Sequence, residues 1–263
     1  MSKHIFSPQY PFVALLAAAI IASQVVPVQS ENAKKSAKAE AKQNAPAKKK
    51  RKPNPAMAPV TDVEGLPRVL LIGDSISIGY TVAVREAMKG EANVHRPRAN
   101  CGPTTTGLKS IDQWLATGGA DKKWDVIHFN WGLHDLKYLG PNGENLQDPA
   151  DPKNHQQVPP DEYRTNLQNL VDRLQETGAK LIWRNTTPVP KGAKGRVVGH
   201  SDAYNKIAAE IMKTENIPTH DLYTFALERQ DTIQKKADVH FTPEGSKQMG
   251  QDVAKVICEK LAK

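Results

Sequence analysis

Residues 70–80 read LLIGDSISIGY, an apolar, strand-like run that breaks abruptly into Gly73-Asp74-Ser75. A serine at the tip of a strand-to-helix turn has its Oγ exposed. Its own N–H then lies at a helix N-terminus, where it favours developing negative charge. That arrangement suits attack on a carbonyl carbon. A free serine hydroxyl is a poor nucleophile, however, and needs a base. His240, in a loop just before the last helical segment, is the candidate base; the bland alternative is a surface-loop imidazole. A third group should orient the ring and stabilise its cation, and the nearest preceding acid is Asp238.

Residues so far apart in the chain meet only if the fold delivers them to one edge. Apolar runs of strand length recur at 68–72, 94–98, 125–130, 180–185 and, weakly, 219–222. LLI, VIHF and LIW are continuous rather than alternating, as strands covered on both faces should be. Helical patterns lie between them. In residues 159–178 the apolar positions Tyr163, Leu167, Leu170, Val171 and Leu174 recur at three and four, with Asp161 as an expected cap and Gly178 as an expected stop. Others run over Tyr204, Ile207, Ala208 and Ile211, and over Met249, Val253, Val256, Ile257 and Leu261; shorter ones follow Gly79 and Gly107. The alternation predicts a single α/β, flavodoxin-like domain, a mostly parallel five-stranded sheet with helices on both faces. Ligands then bind at the C-terminal strand ends. Those ends carry Gly73-Asp74-Ser75, Asn100-Cys101-Gly102, Trp131-Gly132-Leu133-His134-Asp135 and Asn185-Thr186-Thr187. Residues 139–160 form a polar, proline-rich insertion expected to act as a lid or substrate loop.

Four blocks in this order carry a resemblance: Gly73-Asp74-Ser75-Ile76-Ser77, Gly102, Gly132-Leu133-His134-Asp135 and Asp238-Val239-His240. From residue 68 to about 260 the chain resembles the SGNH (GDSL-type) hydrolase superfamily. The resemblance implies an esterase that works through an acyl-serine. Ser75 is then the nucleophile, His240 the base and Asp238 the orienting acid. The oxyanion hole comprises the Ser75 N–H, the Gly102 N–H and a side chain of the third block. Asp74 holds the turn and Asp135 supports position 134. No metal or organic cofactor is implied.

The chain departs from the family pattern in three places. Ile76 stands for the usual Leu. His134 stands where the family has Asn; a neutral imidazole can still donate one N–H, and a change in pH dependence is expected. The usual Asp-x-x-His is shortened, so that Ala237 occupies the expected acid position and Asp238 approaches from a different angle. The alternatives to Asp238 are an acid from elsewhere in the chain or a Ser–His dyad.

The remaining sequence bounds the setting. Residues 1–30 have a short basic start and an apolar stretch of about 15 residues, short for a span of roughly 20, so a cleaved signal peptide and a secreted or periplasmic location are expected. Residues 31–58, rich in Lys, Ala and Pro, read as a disordered linker. They carry a net +7, and with Lys3 they account for the whole formal charge of +8. Residues 59–263, the expected catalytic domain, are therefore neutral. That argues against a nucleic-acid partner, while the linker could touch an anionic cell surface. The pairing of Cys101 and Cys258 stays open, as does the oligomeric state. Zinc on His134, Asp135, Asp238 and His240 would leave the serine and glycine blocks without purpose.

Ser77 is read as a capping or packing hydroxyl and His128 as a core histidine. Trp131 and Trp183 are core or sugar-stacking residues. Arg184, Asn185 and Thr186 contact substrate or are satisfied within the fold. Export and a polar rim point to a short acyl group, such as acetyl, on a carbohydrate ester. The alternatives are a lipid or lysophospholipid esterase and a non-catalytic glycan-binding module.

Overall fold

The apolar runs become a five-stranded sheet in the order β2-β1-β3-β6-β7, every neighbouring pair parallel. The computed structural model describes residues 53–262; the expected signal peptide and most of the expected linker lie outside them. The strands are β1 (Arg68–Ile72), β2 (Asn93–His95), β3 (Val126–Phe129), β4 (Tyr138–Leu139), β5 (His155–Gln156), β6 (Lys180–Arg184) and β7 (Thr219–His220). β4 and β5 form a separate antiparallel pair. All five residues of β1 are buried, the four from Val69 to Ile72 as their uninterrupted apolar run requires. Each fully buried Leu or Ile there contributes roughly 1.5–3 kcal/mol.

The helices are α1 (Ser75–Ala87), α2 (Thr104–Leu115), α3 (Pro160–Gln175), α4 (His200–Thr214), α5 (Leu222–Glu228), α6 (Gln230–Ile233) and α7 (Pro243–Leu261). The apolar stripe of α3 is buried as its spacing requires, at Tyr163, Leu167, Leu170, Val171 and Leu174. Asp161 is not its cap. Pro159 holds that position without a side-chain bond, and Asp161 sits in the first turn, where a carboxylate still complements the helix dipole. Asp74 caps α1 and Thr242 caps α7, each accepting a backbone N–H.

The strand boundaries differ from expectation where local chemistry intervenes. β2 ends at His95 rather than at 98, because Arg96 turns inward and Pro97 has no N–H for the ladder. β7 is two residues long, because the Asp221 side chain accepts the Thr224 N–H and starts α5. Residues 55–57, assigned by composition to the linker, form a 3₁₀ turn whose Ala56 is buried. Arg85 on α1 donates to the Pro55 and Ala58 carbonyls on either side of it. The insertion holds the β4–β5 pair and is pinned to the loop before α4: the Tyr138 N–H donates to the Gly195 carbonyl at 2.7 Å. Both cysteines are free thiols, and burial pushes that of Cys101 up to about 12.

Candidate active site

Ser75 is the first residue of α1, directly beyond β1. Its N–H therefore has no intrahelical acceptor. The Asp74 carboxylate accepts the Ile76 N–H at 3.0 Å and so fixes the turn that presents Ser75. Beneath the turn, buried Arg96 donates to the carbonyls of Gly73 and Ala99 and to the hydroxyls of Ser77 and Thr81. One guanidinium thus ties the serine turn to the Gly102 loop. Ser77 is a fully buried acceptor in this clamp.

His240 arrives from the opposite end of the chain. Its Nε2 lies 2.8 Å from Ser75 Oγ, and its Nδ1 lies 2.7 Å from Asp238 Oδ1. Burial raises the Asp238 pKa, but the His240 backbone and ring hydrogen bonds outweigh it and hold the carboxyl below its ordinary value. An ionised carboxylate facing Nδ1 requires the ring proton there. Nε2 is left as acceptor for the Ser75 O–H.

The shortened Asp-x-His spacing works through the backbone. Ala237 adopts a left-handed conformation (φ 52°), unusual for a residue with a Cβ. Lys235 N–H donates to the His240 carbonyl, and the Asp238 carboxylate accepts the His240 N–H at 3.1 Å. Buried Gln234 braces the loop by donating to the carbonyls of Pro188 and Val239. The carboxylate reaches the imidazole from two residues away because this tight loop curls it back.

The other block residues gather at the same edge. Gly132 has φ 143°, and a Cβ there would collide with Thr186 Oγ1. Gly102 has φ 59°, and its N–H donates to Asn100 Oδ1 at 3.0 Å. An oxyanion would have to draw that N–H away from Asn100. His134 lies within electrostatic reach of Asp74 and His240, and burial lowers its pKa to about 4. Its ring makes no hydrogen bond among the described residues. Asp135 is fully buried, accepting the Thr104 N–H and O–H at 2.7 and 2.6 Å; burial raises its pKa to about 7. It therefore tethers the His134 loop to α2 and does not bond the imidazole.

The depressed pKa of His134 alters the expected pH behaviour. A histidine titrating near 4 is neutral throughout the range in which enzymes usually work. His134→Asn should leave the pH profile of kcat/KM superimposable on wild type from pH 5 to 8. A profile displaced within that window would show that the imidazole carries charge there. Linkage has a definite sign as well. The unfolded ring binds a proton below about 6.5 that the folded ring refuses until about 4. His134 thus lowers stability as pH falls through that interval.

Trp131 and Trp183 are 1% and 0% exposed, so neither offers a stacking face to a sugar. Arg184 is buried under the site, donating to Asn130 at 2.6 Å with Asp74 at 3.8 Å. Asn185 bonds Asp221 and the Tyr223 N–H, and Thr186 is buried. His128 is a core histidine, in contact with His220 at 3.1 Å. Asn100 falls in a block that sequence reasoning placed at the strand ends, but its hold on the Gly102 N–H was not foreseen. Sequence reasoning missed Arg96, Lys137 and Arg196; of these only Arg96, a cation directly after a strand-like run, left a signal there.

The model of the GDSL-like lipase/acylhydrolase family matches residues 71–248 of this chain. Solved structures share the fold at low identity. The acetyl xylan esterase AlAXEase is 13% identical with a TM-score of 0.57, covering 72% of this chain and 99% of that one. A lipase/acylhydrolase from Enterococcus faecalis is 20% identical with a TM-score of 0.57, covering 74% and 96%. Axe2, an acetylxylan esterase from Geobacillus stearothermophilus, is 15% identical with a TM-score of 0.55, covering 75% and 94%. No curated protein matches the sequence.

Proposed function

This chain belongs to the GDSL-like lipase/acylhydrolase family, and from that premise we propose that it cleaves carboxylic esters through an acyl-serine at Ser75. The observation that carries this reading is the unbroken hydrogen-bonded chain Ser75–His240–Asp238, at 2.8 and 2.7 Å.

Ser75 Oγ attacks the carbonyl carbon while His240 Nε2 takes its proton. The carbonyl oxygen gains negative charge. The Ser75 N–H and a neutral His134 N–H stabilise it, joined by the Gly102 N–H once it leaves Asn100. Asp238 keeps the Nδ1 proton in place and stabilises the imidazolium. Collapse of the tetrahedral intermediate breaks the ester C–O bond, and the leaving alcohol takes its proton from Nε2. Water, deprotonated by His240, then attacks the acyl-serine and releases the acid.

The finer reading is an exported enzyme that removes a short acyl group, acetyl above all, from a carbohydrate. Polar side chains around Ser75 support it, as do the two acetyl xylan esterases among the proteins of like fold. Nitrophenyl esters of increasing chain length test it. Acetate should be cleaved with a kcat/KM about tenfold or more above octanoate, since each misplaced methylene costs roughly 1–3 kcal/mol in a closed pocket. The reverse order would favour a lipid substrate.

A further inference from the structure

Two cations stand beside the proposed catalytic groups with no role in the chemistry above. Arg196, in the loop before α4, is partly buried, and its Nε–H donates to the Leu133 carbonyl at 3.1 Å. That carbonyl immediately precedes His134. The Tyr138–Gly195 backbone bond closes the same loop onto the insertion. It sets Lys137 alongside Arg196. Lys137 is also partly buried, and its side chain makes no hydrogen bond among the described residues.

Neither cation has an ion-pair partner among the described residues. The nearby carboxylates are engaged elsewhere: Asp74 with Arg184, Asp238 with His240, and Asp135 with Thr104. Lys137 feels the Arg196 charge. The Lys137 ammonium is held below its ordinary pKa by burial first and then by the Arg196 charge. Arg196 in turn is lowered by burial, while Asp74 and Asp238, flanking the two reacting residues, act to raise it. Asp135 acts to raise Lys137 in the same way, but none of these carboxylates touches either cation. Two half-buried like charges without a contact partner carry a cost that an anion bound between them would relieve. The free guanidinium N–H groups can take a carboxylate or sulfate through paired hydrogen bonds.

We propose that Arg196 and Lys137 form a substrate subsite for an anionic group, so that the preferred ester lies on an acidic saccharide. The inference rests on the esterase reading of Ser75 and narrows its substrate class. Carboxylate and sulfate present the same chemistry to these two side chains, and the choice of substrates separates them.

The test compares kcat/KM on three esters: an acetylated oligogalacturonate, an acetylated sulfated oligosaccharide and a neutral acetylated xylo-oligosaccharide. Wild type should prefer one of the charged esters by about tenfold, the worth of one charge-assisted contact, and the preference should shrink in high salt. Lys137→Met and Arg196→Gln should each bring the charged-to-neutral ratio to within about twofold of parity. Should Arg196→Gln fail to fold, through loss of its bond to Leu133, Lys137→Met decides alone. Equal rates on all three esters, or a preference that survives Lys137→Met, would overturn the subsite while leaving the esterase intact. If wild type cleaves none of them, and no nitrophenyl ester either, the esterase reading fails first. The subsite then stands or falls on whether unesterified or sulfated oligosaccharide binds the Ser75→Ala protein and loses about tenfold in affinity with Lys137→Met.

Discussion

Ser75→Ala and His240→Ala are each expected to lower kcat on a nitrophenyl acetate by about a million-fold, and the double variant to be no slower than either. The two side chains act as one unit across 2.8 Å: without the hydroxyl the imidazole has nothing to deprotonate, and without the imidazole the hydroxyl stays protonated. Residual catalysis over water should persist, because the backbone N–H at position 75 and the His134 imidazole N–H still face the carbonyl. Both substitutions remove a polar group from a partly exposed position, so thermal unfolding should barely move. Steady-state kinetics with a burst-phase control checks this. Additive losses, or single-variant losses below about a hundredfold, would mean that another pair of groups performs the attack.

The second large effect concerns the shortened acid–histidine spacing. Asp238→Asn should lower kcat by about 10³- to 10⁴-fold with little change in KM. The amide preserves the shape of the loop but can present its N–H₂ to Nδ1, favouring the tautomer that puts the proton on Nε2. In that state the imidazole no longer accepts the Ser75 proton. Asp238→Ala should be milder than Asp238→Asn, because its side chain is 43% exposed and water can take the vacated place beside Nδ1 without imposing the wrong tautomer. Less than a tenfold loss in Asp238→Asn would show that some other group orients His240.

The parallel sheet was legible because strands buried on both faces carry compact apolar runs, and Val69–Ile72 in β1, Val126, Ile127 and Phe129 in β3, and Leu181–Trp183 in β6 supply them. The serine, its capping Asp74 and the distant histidine were legible because the chemistry demands those residue types at strand ends and before α7. What remained hidden depends on backbone geometry or on long-range contact. Nothing in the letters Ala237-Asp238-Val239-His240 announces a left-handed Ala237 that curls the carboxylate back to Nδ1. Trp131 and Trp183 were ambiguous because a strand end can face the core or solvent, and only packing decides. The insertion reads as a loop, since two-residue strands such as β4 and β5 have no periodicity to detect. Lys137 and Arg196 lie 59 positions apart, and long-range bonds, Tyr138 N–H to Gly195 and Arg196 to the Leu133 carbonyl, make them neighbours.

The most direct measurement is covalent labelling with a fluorophosphonate, which reacts only with a hydroxyl activated as His240 would activate Ser75, followed by peptide mapping. A single adduct on Ser75 in wild type, absent from Ser75→Ala and strongly slowed in His240→Ala, is the predicted result. A wild-type protein that refuses the probe, or a label that persists after Ser75→Ala, would contradict it.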